Sequence, residues 1–257
     1  MSIIPSTRCV KCCFEPDPYR SSDFLFSKVE VFYGITKNLY SKYNDLKSYI
    51  VNDEKLRADK FHFSEDRETY ILCHGLLRSI LSKKLKKSPS EVNFCYDKNN
   101  KPGLSGNPLY FNITHVRDAF AFVISKYFYA GIDMERADRT IDFLPIINTF
   151  FSKKEREYIL KSEACSQDIF FQLWTRKEAL LKAIGTGIIA DLKEIEVSDL
   201  ENRINKRSLG NHFEESVFDE HFIYSEKIKD YYLSIAIPAK AEIRLNQVNE
   251  SVLSYLK

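Results

Sequence analysis

The sequence of 257 residues lacks the features that mark several specialised classes of protein. Its 38 Lys and Arg residues nearly balance 36 Asp and Glu residues, so a net charge of +2 does not indicate a general nucleic-acid binder. No apolar run approaches the roughly 18 residues that span a bilayer. The first eight residues lack the continuous apolar core of a secretory signal. We therefore predict a cytoplasmic protein that binds neither nucleic acid nor membrane.

Cysteine is also scarce, which argues against a disulfide-based scaffold. The six cysteines are few and mostly scattered, so we expect reduced thiols: Cys9, Cys12, Cys13, Cys73, Cys95 and Cys165. A structural zinc site needs four ligands, and no second Cys pair or Cys/His pair follows the first three cysteines. The sequence therefore gives little support for zinc.

The remaining composition is that of a globular protein, with 44% hydrophobic and 29% charged residues. We expect three parts: an irregular leader (1–23), an N-terminal half (24–126) and a C-terminal half (127–257). Alternating apolar residues predict strands at 29–33, 92–96, 109–113, 119–125, 129–135, 195–197 and 231–237. Apolar spacing predicts helices at 40–56, from an N-cap at Ser64 through the lysines at 83–87, and from 141 to 183, where Gly185 and Gly187 end the last one.

The two halves contain a weak internal repeat. Residues 61–67 resemble 151–156, and residues 76–80 resemble 180–184; strands follow each copy. Such repeats also arise by chance in amphipathic helices. If the repeat is real, the fold is α+β, a pseudo-dimer of two similar α+β halves with the active site in the cleft between them.

Three carboxylates are placed to bind a hard cation. In an extended strand Asp133 and Glu135 point to the same face, while in a helix Trp174, Glu178 and Lys182 share one stripe. The apolar residues that precede Asp133 predict an interior strand, and buried acids need a partner such as a metal or a lysine. Asp133, Glu135 and Glu178 are therefore predicted ligands of Mg²⁺, with Mn²⁺ possible, because Mg²⁺ favours carboxylates and substrate phosphates.

Other polar residues predict the binding of phosphate or a base. The side chains of Lys177 and Lys182 reach far enough to contact phosphate oxygens. His115, in a loop that follows a strand, is either a hydrogen-bond donor to phosphate or simply a packed or exposed imidazole. Lys101-Pro102 either stacks on a base or forms an ordinary turn. Ser152 and Glu155 form a capping-box pattern, so Glu155 is either structural or catalytic.

Taken together, these motifs resemble those of the 4'-phosphopantetheinyl transferase superfamily, specifically its larger Sfp-like type. The resemblance covers about residues 57–187. It rests on five motifs in the family's order: Lys101-Pro102, Phe111-Asn112-Ile113-Thr114-His115, Gly131-Ile132-Asp133-Met134-Glu135, Phe150-Phe151-Ser152-Lys153-Lys154-Glu155 and Trp174-x-x-Lys177-Glu178-Ala179-x-x-Lys182.

The resemblance implies transfer of phosphopantetheine from coenzyme A to a serine of an apo acyl or peptidyl carrier protein, by a protein that is a monomer. It places Mg²⁺ on Asp133, Glu135 and Glu178, beside the pyrophosphate. The remaining roles that it implies are phosphate contacts for Lys182, Thr114 and His115, adenine contacts for Lys101 and Pro102, and a 3'-phosphate contact for Arg57. Glu54 and Tyr70 depart from the family pattern near that phosphate.

Several points stay open at the level of sequence. The serine needs a base, and Glu178 and Glu155 are both candidates. The family's carrier helix is acidic, so basic residues near Lys153 and Lys154 are a predicted docking surface. Two alternatives are another metal-dependent phosphotransferase or nucleotidase, and a non-catalytic member that binds coenzyme A or carrier proteins.

Overall fold

The fold was analysed in a computed structural model. The structure describes residues 28–97, 99–137, 140–162, 165–185, 192–198, 203–205 and 220–249. The predicted leader and Gly187 lie outside these ranges.

The N-terminal half is built on one long helix and a sheet. Its strands are β1 (Lys28–Ile35), β2 (Phe94–Tyr96), β3 (Pro102–Leu104), β4 (Tyr110–Val116) and β5 (Ala119–Ser125), and its helices are α1 (Tyr43–Tyr49), α2 (Asn52–Ala58) and α3 (Ser64–Leu85). Helix α3 packs on β4 and β5, where its Leu72 and Leu76 join Phe122 of β5 in one apolar cluster. Burial of these side chains stabilises the half, since each fully buried one contributes about 1.5–3 kcal/mol.

The C-terminal half repeats this plan. It contains β6 (Gly131–Arg136), α4 (Leu144–Phe150), α5 (Lys153–Lys161), α6 (Ser166–Ile184), β7 (Arg203–Asn205), β8 (Glu220–Ile228) and β9 (Tyr231–Ile237), and the strand β10 (Glu242–Gln247) follows it along the chain. The long helix α6 packs on β6 and β9. Gly185, with φ +83°, ends α6 as the sequence predicts.

Sheet topology shows that the two halves are related. One four-stranded sheet has the order β10-β1-β5-β4 and a second has the order β6-β9-β8-β7, while β2 and β3 pair separately. The strands β1-β5-β4 thus correspond to β6-β9-β8. In each half a strand is followed by a long helix that covers the sheet, and an antiparallel hairpin completes it. The predicted α+β fold with two similar halves is confirmed.

The structure corrects several boundaries. β10 pairs in parallel with β1, so residues 242–247, which the sequence assigns to the C-terminal half, lie in the N-terminal sheet. Residues 195–197 form no strand, and α3 begins at Ser64 itself, with Phe63 before it and no side-chain cap. The block 141–183 is three helices, and 40–56 is a 3₁₀ turn followed by α1 and most of α2.

The predicted thiols are only partly confirmed. Cys73 and Cys165 are free. Cys95 is disulfide-bonded, contrary to the expectation. Cys9, Cys12 and Cys13 lie outside the described residues.

Candidate active site

The candidate site lies where strand β4 of the first half meets β6 and α6 of the second. The amide of Ile132 donates to Asn112 Oδ1 at 3.0 Å, which joins β6 to β4. Gly131 permits the close approach of α6, because a Cβ there would lie 1.9 Å from the carbonyl oxygen of Ala179. These contacts explain why the motifs around Asn112 and Gly131 contain an amide and a glycine.

Asp133, Lys182 and Thr114 form the centre of the site. Lys182 Nζ donates to Asp133 Oδ1 at 2.7 Å and lies 3.2 Å from Thr114 Oγ1, which itself donates to Asp133 Oδ1 at 3.2 Å. The other carboxylate oxygen, Asp133 Oδ2, is buried and has no hydrogen-bond partner among the residues that the structure describes. Burial raises the pKa of Asp133, and the charge of Lys182 opposes that rise. A buried carboxylate with one unused oxygen is suited to a cation.

Glu178 and Glu135 extend this acidic centre. Burial, followed by the negative charge of Asp133, raises the pKa of Glu178 to about 7; Lys182 acts in the opposite direction and Glu135 raises it further. A carboxylate raises the pKa of another only when the two lie close together, so Asp133 and Glu135 both lie near Glu178. The structure thus brings together the three acids that the sequence singles out.

As the side chains stand, Lys182 supplies the positive charge that Asp133 requires. Among the residues that the structure describes, no group of three or more Asp, Glu, His or Cys side chains is arranged to hold a metal ion. The donor set nevertheless fits Mg²⁺ chemically, because it consists of carboxylate oxygens, one of which is buried and unbonded.

His115 lies beside this centre in an aromatic cluster. Its ring makes edge contacts with Phe61 and Tyr70, at 6.1 and 6.2 Å between ring centroids. Burial, then the charges of His74 and Lys182, lowers the pKa of His115 to about 4. The imidazole is therefore neutral at physiological pH and offers one N–H donor.

Arg57 lies on the N-terminal side of the site. Its guanidinium stacks over the ring of Tyr96 at 4.5 Å. Glu54, one turn earlier, is fully buried and accepts from Arg78 Nε at 2.6 Å and pairs with His74 Nδ1 at 3.1 Å. The acid at position 54 therefore belongs to a structural network, which accounts for its departure from the family pattern.

Lys177 and Glu155 do not lie in the cleft. Both side chains are 0% exposed, and Lys177 Nζ bonds Glu155 Oε2 at 2.9 Å. Lys177 also donates to the carbonyls of Leu192 (3.1 Å) and Ile195. The predicted phosphate contact of Lys177 and the predicted catalytic role of Glu155 are therefore not supported by their positions.

Glu155 performs the capping role that the sequence left open. Its Oε2 accepts from the amide of Ser152, and its own amide donates to Ser152 Oγ. Its Oε1 accepts from the amide of Val197 at 2.9 Å. Both carboxylate oxygens are thus occupied.

Lys101 also differs from its predicted role. Its ammonium donates to the carbonyls of Lys182 and Ala183 at the end of α6, rather than lying free beside a nucleotide. Pro102 begins β3 and is half-buried.

Sequence reasoning missed Arg78 and His74 as members of a polar network. Their only sequence signal is the presence of charged and polar residues among the apolar positions of α3. Because Glu54 lies 24 residues away from Arg78, no local pattern indicates the pair.

A two-half α+β fold with an acidic and lysine-bearing site between the halves is suited to phosphoryl-type chemistry. Comparisons with known proteins are more specific. Residues 129–236 match the model described as the 4'-phosphopantetheinyl transferase superfamily, and residues 37–127 match 4'-phosphopantetheinyl transferase, N-terminal. The two matched ranges follow one another along the chain.

Named relatives agree with these matches. The chain is 37% identical over 164 residues to 4'-phosphopantetheinyl transferase HetI of Nostoc sp. (62% of this chain and 68% of HetI). It is 30% identical over 154 residues to 4'-phosphopantetheinyl transferase Sfp of Bacillus subtilis (58% of this chain and 66% of Sfp). A crystal structure of Thermotoga maritima holo-[acyl-carrier-protein] synthase aligns with 49% of this chain and 72% of that one, at a TM-score of 0.34 and 16% identity, a likeness too weak to define the fold.

The chain belongs to the 4'-phosphopantetheinyl transferase superfamily. The predicted family, the predicted enzyme class and the predicted reaction type, transfer of phosphopantetheine to carrier proteins, are confirmed. None of the described helices is both long and apolar enough to cross a membrane.

Proposed function

We propose that the chain moves the phosphopantetheine arm of coenzyme A to a serine of an apo acyl or peptidyl carrier protein and releases adenosine 3',5'-bisphosphate. The observation that best supports this proposal is the hydrogen-bonded group of Asp133, Lys182 and Thr114 where the two halves meet. Glu178 lies beside this group. It joins anionic and cationic groups at one point, as a metal-dependent transfer of a phosphoryl-type group requires.

Asp133, Glu135 and Glu178 are the proposed ligands of Mg²⁺, or of Mn²⁺ in its place. Asp133 and Glu135 both raise the pKa of Glu178, while Lys182 opposes the rise, which indicates a local excess of negative charge at this point. When bound, the cation would supply positive charge to the pyrophosphate oxygens of coenzyme A.

The phosphates are proposed to contact Lys182, Thr114, His115 and Arg57. Lys182 is partly exposed, so its flexible stem permits its ammonium to turn from Asp133 toward a phosphate oxygen. His115 would donate as a neutral imidazole, and Arg57 would bind the 3'-phosphate through its guanidinium.

Glu178 is the proposed base for the carrier serine. Glu155, the other candidate, is fully buried and uses both carboxylate oxygens within the fold. Glu178 is half-buried beside Asp133 and Glu135. The serine proton would therefore pass to Glu178, directly or through a water molecule.

The carrier is proposed to dock on the outer surface of α4 and α5. Leu144, Tyr158 and Leu160 are exposed there, beside the exposed Lys153 and Lys154. Lys154 pairs with Glu196, so Lys153 is the more available charge for an acidic helix. We further propose that the protein acts as a cytoplasmic monomer.

The test is to incubate the protein with coenzyme A, Mg²⁺ and several apo-carriers, and to weigh each carrier by mass spectrometry. We expect a gain equal to one phosphopantetheine group on a serine, lost when the metal is chelated. Binding of coenzyme A without any mass gain on any carrier would favour the non-catalytic alternative. Release of free phosphate from the nucleotide without carrier modification would favour a nucleotidase.

A further inference from the structure

The end of helix α6 is held by a turn from the other half of the molecule. Lys101 Nζ donates to the carbonyls of Lys182 and Ala183, the latter at 3.1 Å. Asn99 Nδ2 donates to the carbonyl of Gly185 at 2.5 Å. We call this set of contacts the Lys101 latch.

The latch meets a physical need of the helix. The last carbonyls of an α-helix have no intrahelical partner, and the helix dipole places negative charge on them. The amide of Gly185 donates to the carbonyl of Leu181 at 2.8 Å. The next two carbonyls, of Lys182 and Ala183, accept from Lys101. An ammonium group satisfies both and complements the dipole.

The turn that carries Lys101 is preorganised. Asp97 Oδ1 accepts from the amides of Asn99 and Lys101, both at 2.8 Å. Asn100, with φ +62°, allows the chain to reverse between β2 and β3. A Cβ at Gly185 would lie 3.7 Å from Asp97 Oδ2, which shows how closely the turn approaches the helix end.

The ammonium of Lys101 lies beside an aromatic ring and is influenced by one nearby carboxylate. Lys101 Nζ lies 5.7 Å from the ring centroid of Tyr129, within cation–π range. Burial lowers the pKa of Lys101 to about 8, and Asp97 opposes that effect. Most molecules therefore carry the charge at neutral pH.

We propose that Lys101 is a positioning residue: it fixes the last turn of α6, and with it Lys182 and Glu178, against the N-terminal half. This rests on the proposed function, because Lys182 is then the group that meets the pyrophosphate. It differs from an adenine contact, since the ammonium is used on backbone carbonyls of the helix. A loosened α6 end would misplace Lys182, and errors of about 1 Å are enough to reduce turnover strongly.

The test compares Lys101→Met with Lys37→Met, which changes an exposed lysine outside the site. In Lys101→Met we expect kcat to fall about tenfold. Amide exchange at residues 182–185 should rise about tenfold, because the helix end frays. The affinity for adenosine 3',5'-bisphosphate, measured by calorimetry, should change less than about twofold. Lys37→Met should change none of these.

Asn99→Ala keeps the test decisive if Lys101→Met does not fold. It removes only the contact with Gly185, so we expect the same changes at about a third of the size. Loss of nucleotide affinity with unchanged exchange in either variant would instead make this turn a nucleotide contact and overturn the latch. Unchanged exchange together with unchanged kcat would overturn it as well. If the wild-type protein modifies no carrier, the proposed function fails, while exchange at residues 182–185 still decides the latch.

Discussion

Each half contains a buried cluster built on one glutamate and one cation. In the N-terminal half Glu54, third residue of α2, binds Arg78 of α3, and Arg78 Nη1 donates to the carbonyls of Pro89 and Val92 at 2.9 and 2.8 Å. In the C-terminal half Glu155, third residue of α5, binds Lys177 of α6, which donates to the carbonyls of Leu192 and Ile195. Each cation also lies over a phenylalanine ring.

The halves differ in what surrounds the cluster. In the first, the second oxygen of Glu54 is bonded by His74, and Ser79 follows Arg78 as a buried residue. In the second, the backbone of Val197 bonds Glu155, and Glu178 follows Lys177 beside Asp133 and Glu135. The shared cluster therefore supports the fold of both halves, and we infer that chemistry was added at the neighbouring position of one half alone.

The largest expected effect is the loss of one partner from a cluster. Lys177→Met should leave the Glu155 carboxylate buried and unpaired, and lower the free energy of unfolding by about 3–5 kcal/mol. Urea unfolding followed by circular dichroism measures this change. Arg78→Met should cost a similar amount if the clusters are equivalent; a cost below about 1 kcal/mol in either half would contradict the comparison.

The next effect is a loss of stability in acid that we expect from His221. Unlike His74, which pairs with Glu54, this histidine has no carboxylate partner among the described residues. Burial lowers the pKa of His221 to about 4, from an ordinary value of 6.5, and neither ring nitrogen has a partner among the described residues. The unfolded chain then binds a proton that the folded chain does not. The contribution of neutral His221 to the free energy of unfolding is complete above pH 6.5. It falls by about 3 kcal/mol as the pH drops to 4.

Comparing His221→Leu with the wild type by urea unfolding between pH 7 and 4 checks this. The variant should lose less stability across that range, although His115, whose pKa is also lowered, keeps part of the slope. Parallel pH curves for the two proteins would show that His221 does not contribute.

A smaller effect is expected for His74→Leu. Glu54 keeps its bond to Arg78 and its bond from the amide of Val51, so only one hydrogen bond is lost. We expect a loss of about 1–2 kcal/mol in the free energy of unfolding. A loss as large as that of Arg78→Met would mean that His74 is an equal member of the cluster, and the halves would be less alike than described.

The sequence predicts that the two halves are similar, but not which residues of the two halves correspond. Apolar alternation locates β5 to the residue, and the pattern around Asp133 and Glu135 predicts an interior strand. The proposed repeat pairs Arg78 with Lys182, whereas the structure matches Arg78 with Lys177, and Glu54 rather than Glu65 with Glu155. Two amphipathic helices can be aligned in several registers, and only contacts with distant segments select one.

A related limit applies to Lys177, whose buried position the sequence does not predict. Helical spacing places Glu178 and Lys182 on one stripe and leaves Lys177 beside it, but it does not state what the Lys177 ammonium contacts. The answer depends on the carbonyls of Leu192 and Ile195, at the 3₁₀ turn after α6, which take the ammonium into the fold. Local sequence does not encode that contact, and the prediction of residues 195–197 as a strand concealed it.

The central claim is that Glu178 acts in catalysis and Glu155 acts in folding. The most direct measurement is the rate of phosphopantetheine transfer, per folded molecule, by Glu178→Gln and Glu155→Gln, with the free energy of unfolding measured for both. We predict that Glu178→Gln loses at least about a hundredfold in kcat with stability nearly unchanged. Glu155→Gln should lose about 3 kcal/mol of stability while its folded fraction retains activity within a few-fold. A stable, inactive Glu155→Gln together with an active Glu178→Gln would contradict the account.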